Sequence, residues 1–191
     1  MSNPFENLRG SRGDQDRSSR WYIHAVNKFA KDLNSYGPIS RSDLGELTSE
    51  LQPGNMYMYV YDPKYKKELP YYDRFPLCLP FDSNSRGFTG LNLHYLAPMM
   101  RARLLGSLID FASKPIDSDS KFQLSWELLS NFSRFPGVQP TVKKYLYSHV
   151  KSRFLLVDPQ HWKAAIFLPT QKFVGASDRK VYTKSKEMIN A

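Results

Sequence analysis

The chain has 191 residues, of which 41% are hydrophobic and 14% are aromatic. This composition allows one domain with a substantial core and excludes an intrinsically disordered chain. Lys and Arg number 27 against 18 Asp and Glu, giving a net charge of +9, which favours a polyanionic partner because cationic side chains release condensed counterions when they meet phosphates.

The two ends of the chain are basic and polar. Four arginines punctuate the polar residues 1–20, namely Arg9, Arg12, Arg17 and Arg20. We interpret 1–20 as a flexible basic N-terminal arm, 21–176 as a single α+β domain and 177–191 as a basic C-terminal tail. The sequence has no signal-peptide pattern and no apolar run of transmembrane length. We therefore expect an intracellular protein with no membrane partner.

The first half of the central domain is expected to contain a helix followed by a small sheet. Apolar residues at every fourth position from Trp21 to Leu33 predict a helix. Residues 56–61 alternate strictly, which places Tyr57, Tyr59 and Tyr61 on one face of a strand. Further short strands at 75–81 and 87–96, with Pro and Gly at the corners, predict a small curved antiparallel sheet or an SH3-like barrel over about 56–96.

The second half is expected to be mainly helical, so that several helices pack with the sheet. The apolar spacing predicts three helices, at 98–113, 120–131 and 139–152. Residues 154–157 and 164–168 have the character of strands or buried extended segments, and the C-terminal tail is expected to form a short surface helix.

The sequence carries no recognisable catalytic or metal-binding motif. None of the histidines, His24, His94, His149 and His161, has the spacing of a metal-ligand pair. Among its leucine neighbours, His94 is expected to be a core or rim histidine with satisfied hydrogen bonds. The single cysteine, Cys78, lies between apolar residues and is expected to be a buried thiol. The scattered aspartates adjoin turns, where Asp usually organises the backbone. We expect no enzymatic activity, no cofactor and no metal.

The distribution of basic residues is more informative than their number. Lys143, Tyr147 and Lys151 recur every fourth residue on the predicted helix 139–152, and no acid occurs from 139 to 154. Such a face suits backbone phosphates, although an ordinary solvated face has the same pattern. The tyrosine row at 57–61 fits either a base-stacking platform or a packed sheet face. The candidate nucleic-acid-binding residues are Lys143, Lys144, Tyr147, Lys151, Arg153, Arg9, Arg12, Arg17 and Arg20.

Several motif blocks resemble a protein family of large contractile-tailed bacteriophages, whose members are labelled DNA end protectors or virion proteins. The blocks are residues 54–64, 69–76, 87–96 and 144–154, with Trp162 and 173–176, and the resemblance spans about 21–176. It implies a protein of the virion, and of the host cytoplasm during infection. Its implied role is to shield the ends of packaged DNA from host exonucleases, with double-stranded DNA ends as the partner.

Two main hypotheses remain open on the sequence, and a nuclease or other enzyme is a minor third. In the first, the chain is a non-catalytic protein that binds DNA ends through phosphate contacts. In the second, it is a structural component of the neck, tail or baseplate, which docks other virion proteins through its arms and its tyrosine-rich sheet. Clustered basic residues favour the first hypothesis, and a long exposed apolar patch favours the second.

Overall fold

The computed structural model describes residues 47–112 and 126–191, which form the predicted α+β fold. The predicted N-terminal helix and the start of the predicted helix 120–131 lie outside these ranges. The strands are β1 (Leu47–Thr48), β2 (Met56–Met58), β3 (Tyr72–Asp73), β4 (Leu77–Ser83), β5 (Gly87–Asn92), β6 (Val142–Leu146), β7 (Phe154–Val157) and β8 (Phe173–Val174). The helices are α1 (Pro98–Ala112), α2 (Trp126–Phe132), α3 (Trp162–Phe167) and α4 (Asp178–Asn190).

The main sheet is open, so the SH3-like barrel is wrong. The predicted antiparallel sheet is confirmed, but it extends beyond about 56–96, because β1, β6 and β7 also belong to it. Its strand order is β1-β7-β2-β4-β5-β6, which leaves β1 and β6 at the edges, and β3 pairs separately with β8. After β6 the chain makes a 3₁₀ turn at Tyr147–His149 and returns to β2. There an isolated bridge joins Tyr61 to Val150, without closing the sheet.

Three hydrogen bonds fix β6 and its continuation to the end of β2. The backbone N–H of Leu146 donates to the hydroxyl of Tyr61 at 3.2 Å. The N–H of Asp62 donates to the carbonyl of His149 at 3.0 Å, and the N–H of Lys151 donates to the carbonyl of Val60 at 2.8 Å. The segment that follows β6 is therefore held in place by contacts from residues about 85 positions earlier in the chain.

The two faces of the main sheet bury different side chains. One face packs against the helices and holds an aliphatic core that includes Met56, Leu79 and Leu155. The other face holds an aromatic cluster, which we define as Tyr57, Tyr59, Tyr61, Cys78, Phe88, Tyr145 and Phe154. The predicted common face of the three tyrosines is confirmed. They are 2%, 2% and 7% exposed, so they form a packed sheet face and not a stacking platform.

Two predicted elements are wrong. Residues 139–152 are not a helix, because 142–146 pair with β5 along their whole length and 3₁₀ turns precede and follow them. Residues 164–168 are not extended, because 162–167 form α3. The indole N–H of Trp162 donates to the carbonyl of Val157 at 2.9 Å, which turns the chain back at the helix start. The predicted helix at 98–113, the strand at 154–157 and the C-terminal surface helix are confirmed.

Glycines allow β5 to approach its neighbours closely. A Cβ atom at Gly87 would overlap the backbone oxygen of Tyr145, and a Cβ atom at Gly90 would overlap the sulfur of Cys78. Only glycine fits at such approaches without displacing the neighbouring strand or side chain. In the described part of the chain, no helix has the length and apolar character needed to span a membrane.

Candidate nucleic-acid interface

A cleft lies beside the open edge of β6. Its volume is about 260 Å³, and we name it the β6 cleft. Four parts of the chain surround it: β6 itself, Tyr61 after β2, the segment 69–73 that includes β3, and the 3₁₀ turn Leu93–Tyr95 after β5. The lining residues are Tyr61, Leu69, Pro70, Tyr71, Tyr72, Asp73, Tyr95, Lys143, Lys144 and Tyr145. Tyrosine and lysine together suit a ligand that has both a flat or apolar part and a negative charge.

Lys143 enters the cleft from β6, where its backbone is paired opposite Gly90. Its ammonium lies over the ring of Tyr95, with Nζ 4.1 Å from the ring centroid. The side chain is half-buried, and this burial lowers the pKa of Lys143 to about 8. Lys144 lines the same cleft and is exposed. The cleft thus holds one desolvated and one solvated ammonium.

Lys143 forms no ion pair with any residue of 47–112 or 126–191. Lys66 and Lys184, in contrast, are paired with Asp62 and Glu187. The cleft does contain one acid, Asp73, but the oxygens of this carboxylate are occupied by other donors. A half-buried cation without an acidic partner leaves its charge available to an anionic ligand.

Asp73 belongs to a buried polar network beneath the cleft. Its Oδ1 accepts the backbone N–H groups of Phe75 at 3.0 Å and Lys172 at 3.1 Å. Its Oδ2 accepts His94 Nδ1 at 2.7 Å and Asn92 Nδ2 at 3.3 Å. These contacts confirm that Asp73 organises the backbone. They also connect β3 to the turn after β5 and to the segment before β8.

His94 is a buried histidine whose two ring nitrogens are both hydrogen-bonded, as predicted. Its Nε2 lies 3.0 Å from the hydroxyl oxygen of Thr170. Burial lowers the pKa of His94, and the adjacent Asp73 offsets only part of that effect. Burial alone would raise the pKa of Asp73, but His94 and the backbone donors outweigh it and lower the pKa. The order carboxylate, imidazole and hydroxyl resembles a catalytic triad, but His94 is fully buried and Thr170 is 7% exposed and lies outside the cleft lining.

The structure brings together only some of the residues predicted to bind nucleic acid. Lys143 and Lys144 line the β6 cleft. Tyr147 begins the 3₁₀ turn after β6, and its ring packs on Phe88 at a centroid distance of 5.5 Å. Lys151 and Arg153 are exposed beyond that turn. The predicted helical alignment of Lys143, Tyr147 and Lys151 is wrong, because this segment is a strand and a turn. The four arginines Arg9, Arg12, Arg17 and Arg20 lie outside the described residues.

Tyr95 is a cleft residue that the sequence did not mark as a candidate. It lies in 87–96, where the leucines before and after it favour the prediction of a strand. In the structure β5 ends at Asn92, and a 3₁₀ turn places the Tyr95 ring under Lys143 and against Phe173. The signal available in the sequence was Asn92, whose side chain accepts the N–H of His94 and caps this turn. Across the described ranges, no group of three His, Cys, Asp or Glu residues is arranged to hold a metal ion.

Comparison with known proteins identifies a family. A family model described as Phage T4 terminal DNA protecting protein matches residues 13–191. No curated protein and no solved structure matches the chain significantly. The family match covers nearly the whole chain and confirms the resemblance found in the motif blocks. The chain belongs to the Phage T4 terminal DNA protecting protein family.

Proposed function

We propose that this protein binds the ends of phage DNA through phosphate contacts and shields them from exonucleases without cutting them. The observation that carries this proposal is the family match over residues 13–191, since the family is described by its protection of terminal DNA. The net charge of +9 supports a polyanionic partner.

The charge around β6 supports contacts to phosphates. Lys144, Lys151 and Arg153 are all exposed. They lie within residues 139–154, a stretch without any acid, so no neighbour in sequence cancels their charge. Contacts from Lys and Arg to phosphate oxygens carry no sequence information, which suits a protein that must accept ends of any sequence.

The proposed mechanism is occlusion. An exonuclease that starts at a duplex end must engage the last nucleotides before it can hydrolyse the chain. A protein that neutralises the phosphates next to the end occupies the same nucleotides. Its affinity should fall with salt, with a slope in log Kd against log salt of roughly 0.9 for each phosphate contacted.

A protection assay tests the proposal. A blunt-ended linear duplex is incubated with the protein and then digested with an exonuclease that requires a double-stranded end. We expect wild type to slow the digestion at low salt. The triple variant Lys144→Glu/Lys151→Glu/Arg153→Glu should lose most of that protection.

The matched control is Arg103→Glu/Lys180→Glu/Lys186→Glu, which changes the net charge equally at three exposed positions on α1 and α4. It should retain protection. If wild type gives none at low salt, the proposal is wrong. If both triple variants fail equally while remaining folded, overall charge matters and the segment after β6 has no special role. Shortening of the duplex by the protein alone would contradict a non-catalytic role.

A further inference from the structure

We infer that the β6 cleft binds the terminal phosphate monoester of a DNA end, and that the ammonium of Lys143 is the group that contacts it. This inference rests on the proposed function and adds how an end is distinguished from the interior of a duplex. Phosphate contacts along the backbone cannot make that distinction, because every nucleotide offers them.

The ammonium of Lys143 has an aromatic neighbour but no acidic partner within 47–112 and 126–191. Lys143 Nζ rests on the Tyr95 ring at 4.1 Å from its centroid and forms no ion pair with any described residue. A cation held partly out of water gains more from an anion than a fully solvated lysine does. The lowered pKa of Lys143 reflects this loss of solvation and supports the same conclusion.

Asp73, the acid in the cleft lining, is held by donors other than Lys143. Asp73 would compete with an anionic ligand if its carboxylate faced Lys143. Its two oxygens instead accept the backbone N–H groups of Phe75 and Lys172 and the side chains of His94 and Asn92. These four donors spread and hold the negative charge within the buried network, so that Lys143 remains available.

The size and lining of the cleft limit the ligand that it can hold. Its volume of about 260 Å³ lies just below the range of roughly 300–1,000 Å³ that is typical of pockets for drug-sized ligands. The space therefore suits a phosphate with part of one sugar, and not a stacked base pair. The rings of Tyr71 and Tyr95 lie at a centroid distance of 6.1 Å and offer an apolar wall to the sugar.

A terminal phosphate differs from an internal phosphate in charge and in free oxygens. A phosphate monoester carries a charge of about −1.5 to −2 at neutral pH and has three oxygens free to accept hydrogen bonds. An internal phosphodiester carries a single charge and is linked on both sides, so it offers the cleft less charge and fewer free oxygens. In an intact linear duplex the monoester occurs only at the ends. A site that prefers the monoester is therefore a site that prefers ends.

The experiment compares hairpin duplexes with one open end, which carries a 5′-phosphate, a 3′-phosphate or hydroxyl groups only. Wild type should bind one of the phosphorylated hairpins about tenfold more tightly than the hydroxyl hairpin, the effect of one charge-assisted contact. The 5′ and 3′ arms show which strand end supplies the phosphate, and either result supports the inference. In Lys143→Met the ratio should fall to about one, while Lys143→Arg should retain a preference.

The control is Lys186→Met, which removes the same charge from an exposed lysine on α4 outside the cleft lining. Equal binding of all three hairpins by wild type would overturn the inference and leave the proposed protection intact. Binding of none of them would overturn both. A preference that survives in a folded Lys143→Met protein would show that another site contacts the terminal phosphate, and would also overturn the inference.

Discussion

Asp73 and His94 are joined by a 2.7 Å hydrogen bond between Oδ2 and Nδ1, in a pair that is almost fully buried. Asp73 also lines the β6 cleft. One carboxylate therefore belongs both to the polar network that holds β3, β5 and β8 together and to the wall of the candidate DNA site.

Replacing Asp73 with Asn should strongly destabilise the fold. The amide keeps the size of the side chain, but it places an N–H₂ group where two donors now converge. We expect a loss of about 3 kcal/mol in the free energy of unfolding, as is typical when one partner of a buried charged network is removed. Urea unfolding measures it. Asp82→Asn, at an exposed position on β4, is the control and should change stability little. Equal stability of the two variants would contradict this role for Asp73.

The same pair should make stability depend on pH. The pKa of His94 is lowered in the fold. As the pH decreases below about 6.5, the unfolded chain therefore takes up a proton before the folded chain does, and the free energy of unfolding decreases. The pKa of Asp73 is also lowered, so its contribution is present above about pH 3.9 and is lost as the pH falls through the folded value. Urea unfolding between pH 8 and pH 5 should show the decline.

The variant His94→Gln tests the origin of that decline. It should be less stable than wild type at pH 7.5, but its stability should fall less steeply between pH 6.5 and pH 5. The other histidines, His24, His149 and His161, are present in both proteins. An unchanged slope in the variant would show that His94 is not the source of the decline.

Binding of a phosphorylated DNA end should weaken above about pH 8, because the pKa of free Lys143 is about 8 and a neutral amine cannot hold the phosphate. Burial raises the pKa of both Tyr95 and Tyr145, so these neighbours stay neutral, and Asp73 stays charged. Lys144 adds a second ammonium nearby. The Kd of the protein for the phosphorylated hairpin, measured at pH 7 and at pH 9.5, tests this expectation. Lys143→Arg should remove most of the dependence, since arginine stays charged at both values, and a dependence that persists would point to another group.

Arg101 is a buried guanidinium on α1 whose loss should loosen the C-terminal part of the fold. Its Nε donates to the carbonyl of Leu96 at 2.7 Å, its Nη1 to the carbonyl of Ile166 at 3.1 Å, and its Nη2 to the hydroxyl of Tyr182 at 2.9 Å. Arg101→Lys keeps the charge but cannot reach three separated acceptors. We expect a cost of about 3 kcal/mol in urea unfolding. Arg103→Lys, exposed on the same helix, should cost little, and a similar loss in both variants would show that the fork geometry is irrelevant.

The sequence predicted the parts of the fold that local patterns determine. Alternation in β2 predicted which face its tyrosines share, and Pro98 marked the start of α1. The predicted helix at 139–152 is wrong. Val142, Tyr145 and Val150 have a helical spacing, but the structure of 142–146 is decided by their pairing with β5. That pairing includes a close approach of the Tyr145 backbone to Gly87, which lies far earlier in the chain, and no local pattern shows it.

Two of the residues that line the β6 cleft, Lys143 and Lys144, are among the candidates that the sequence offers, but the sequence does not predict their arrangement. Lys143 and Lys144 lie in a stretch without acids. That observation depends only on composition, so it stays valid although the helix predicted for this stretch is wrong. Their place in a cleft depends on Tyr95, on Asp73 and on the turn after β5, which tertiary packing brings to β6. The sequence cannot show that the carboxylate of Asp73 is occupied by His94 and Asn92, and so it cannot show that Lys143 forms no ion pair within 47–112 and 126–191.

The hydrogen bonds that join β6 and its continuation to the end of β2 also determine how the site behaves before any ligand arrives. The strand that carries both cleft lysines is paired with β5, and the segment after it is fixed to Val60, Tyr61 and Asp62. Little backbone entropy remains to be lost at β6 when a ligand binds, which lowers one of the costs of association at this site. We expect a ligand to bind such a surface without rearrangement of β6, so that its residence time depends on the strength of the contacts and not on the closing of a loop.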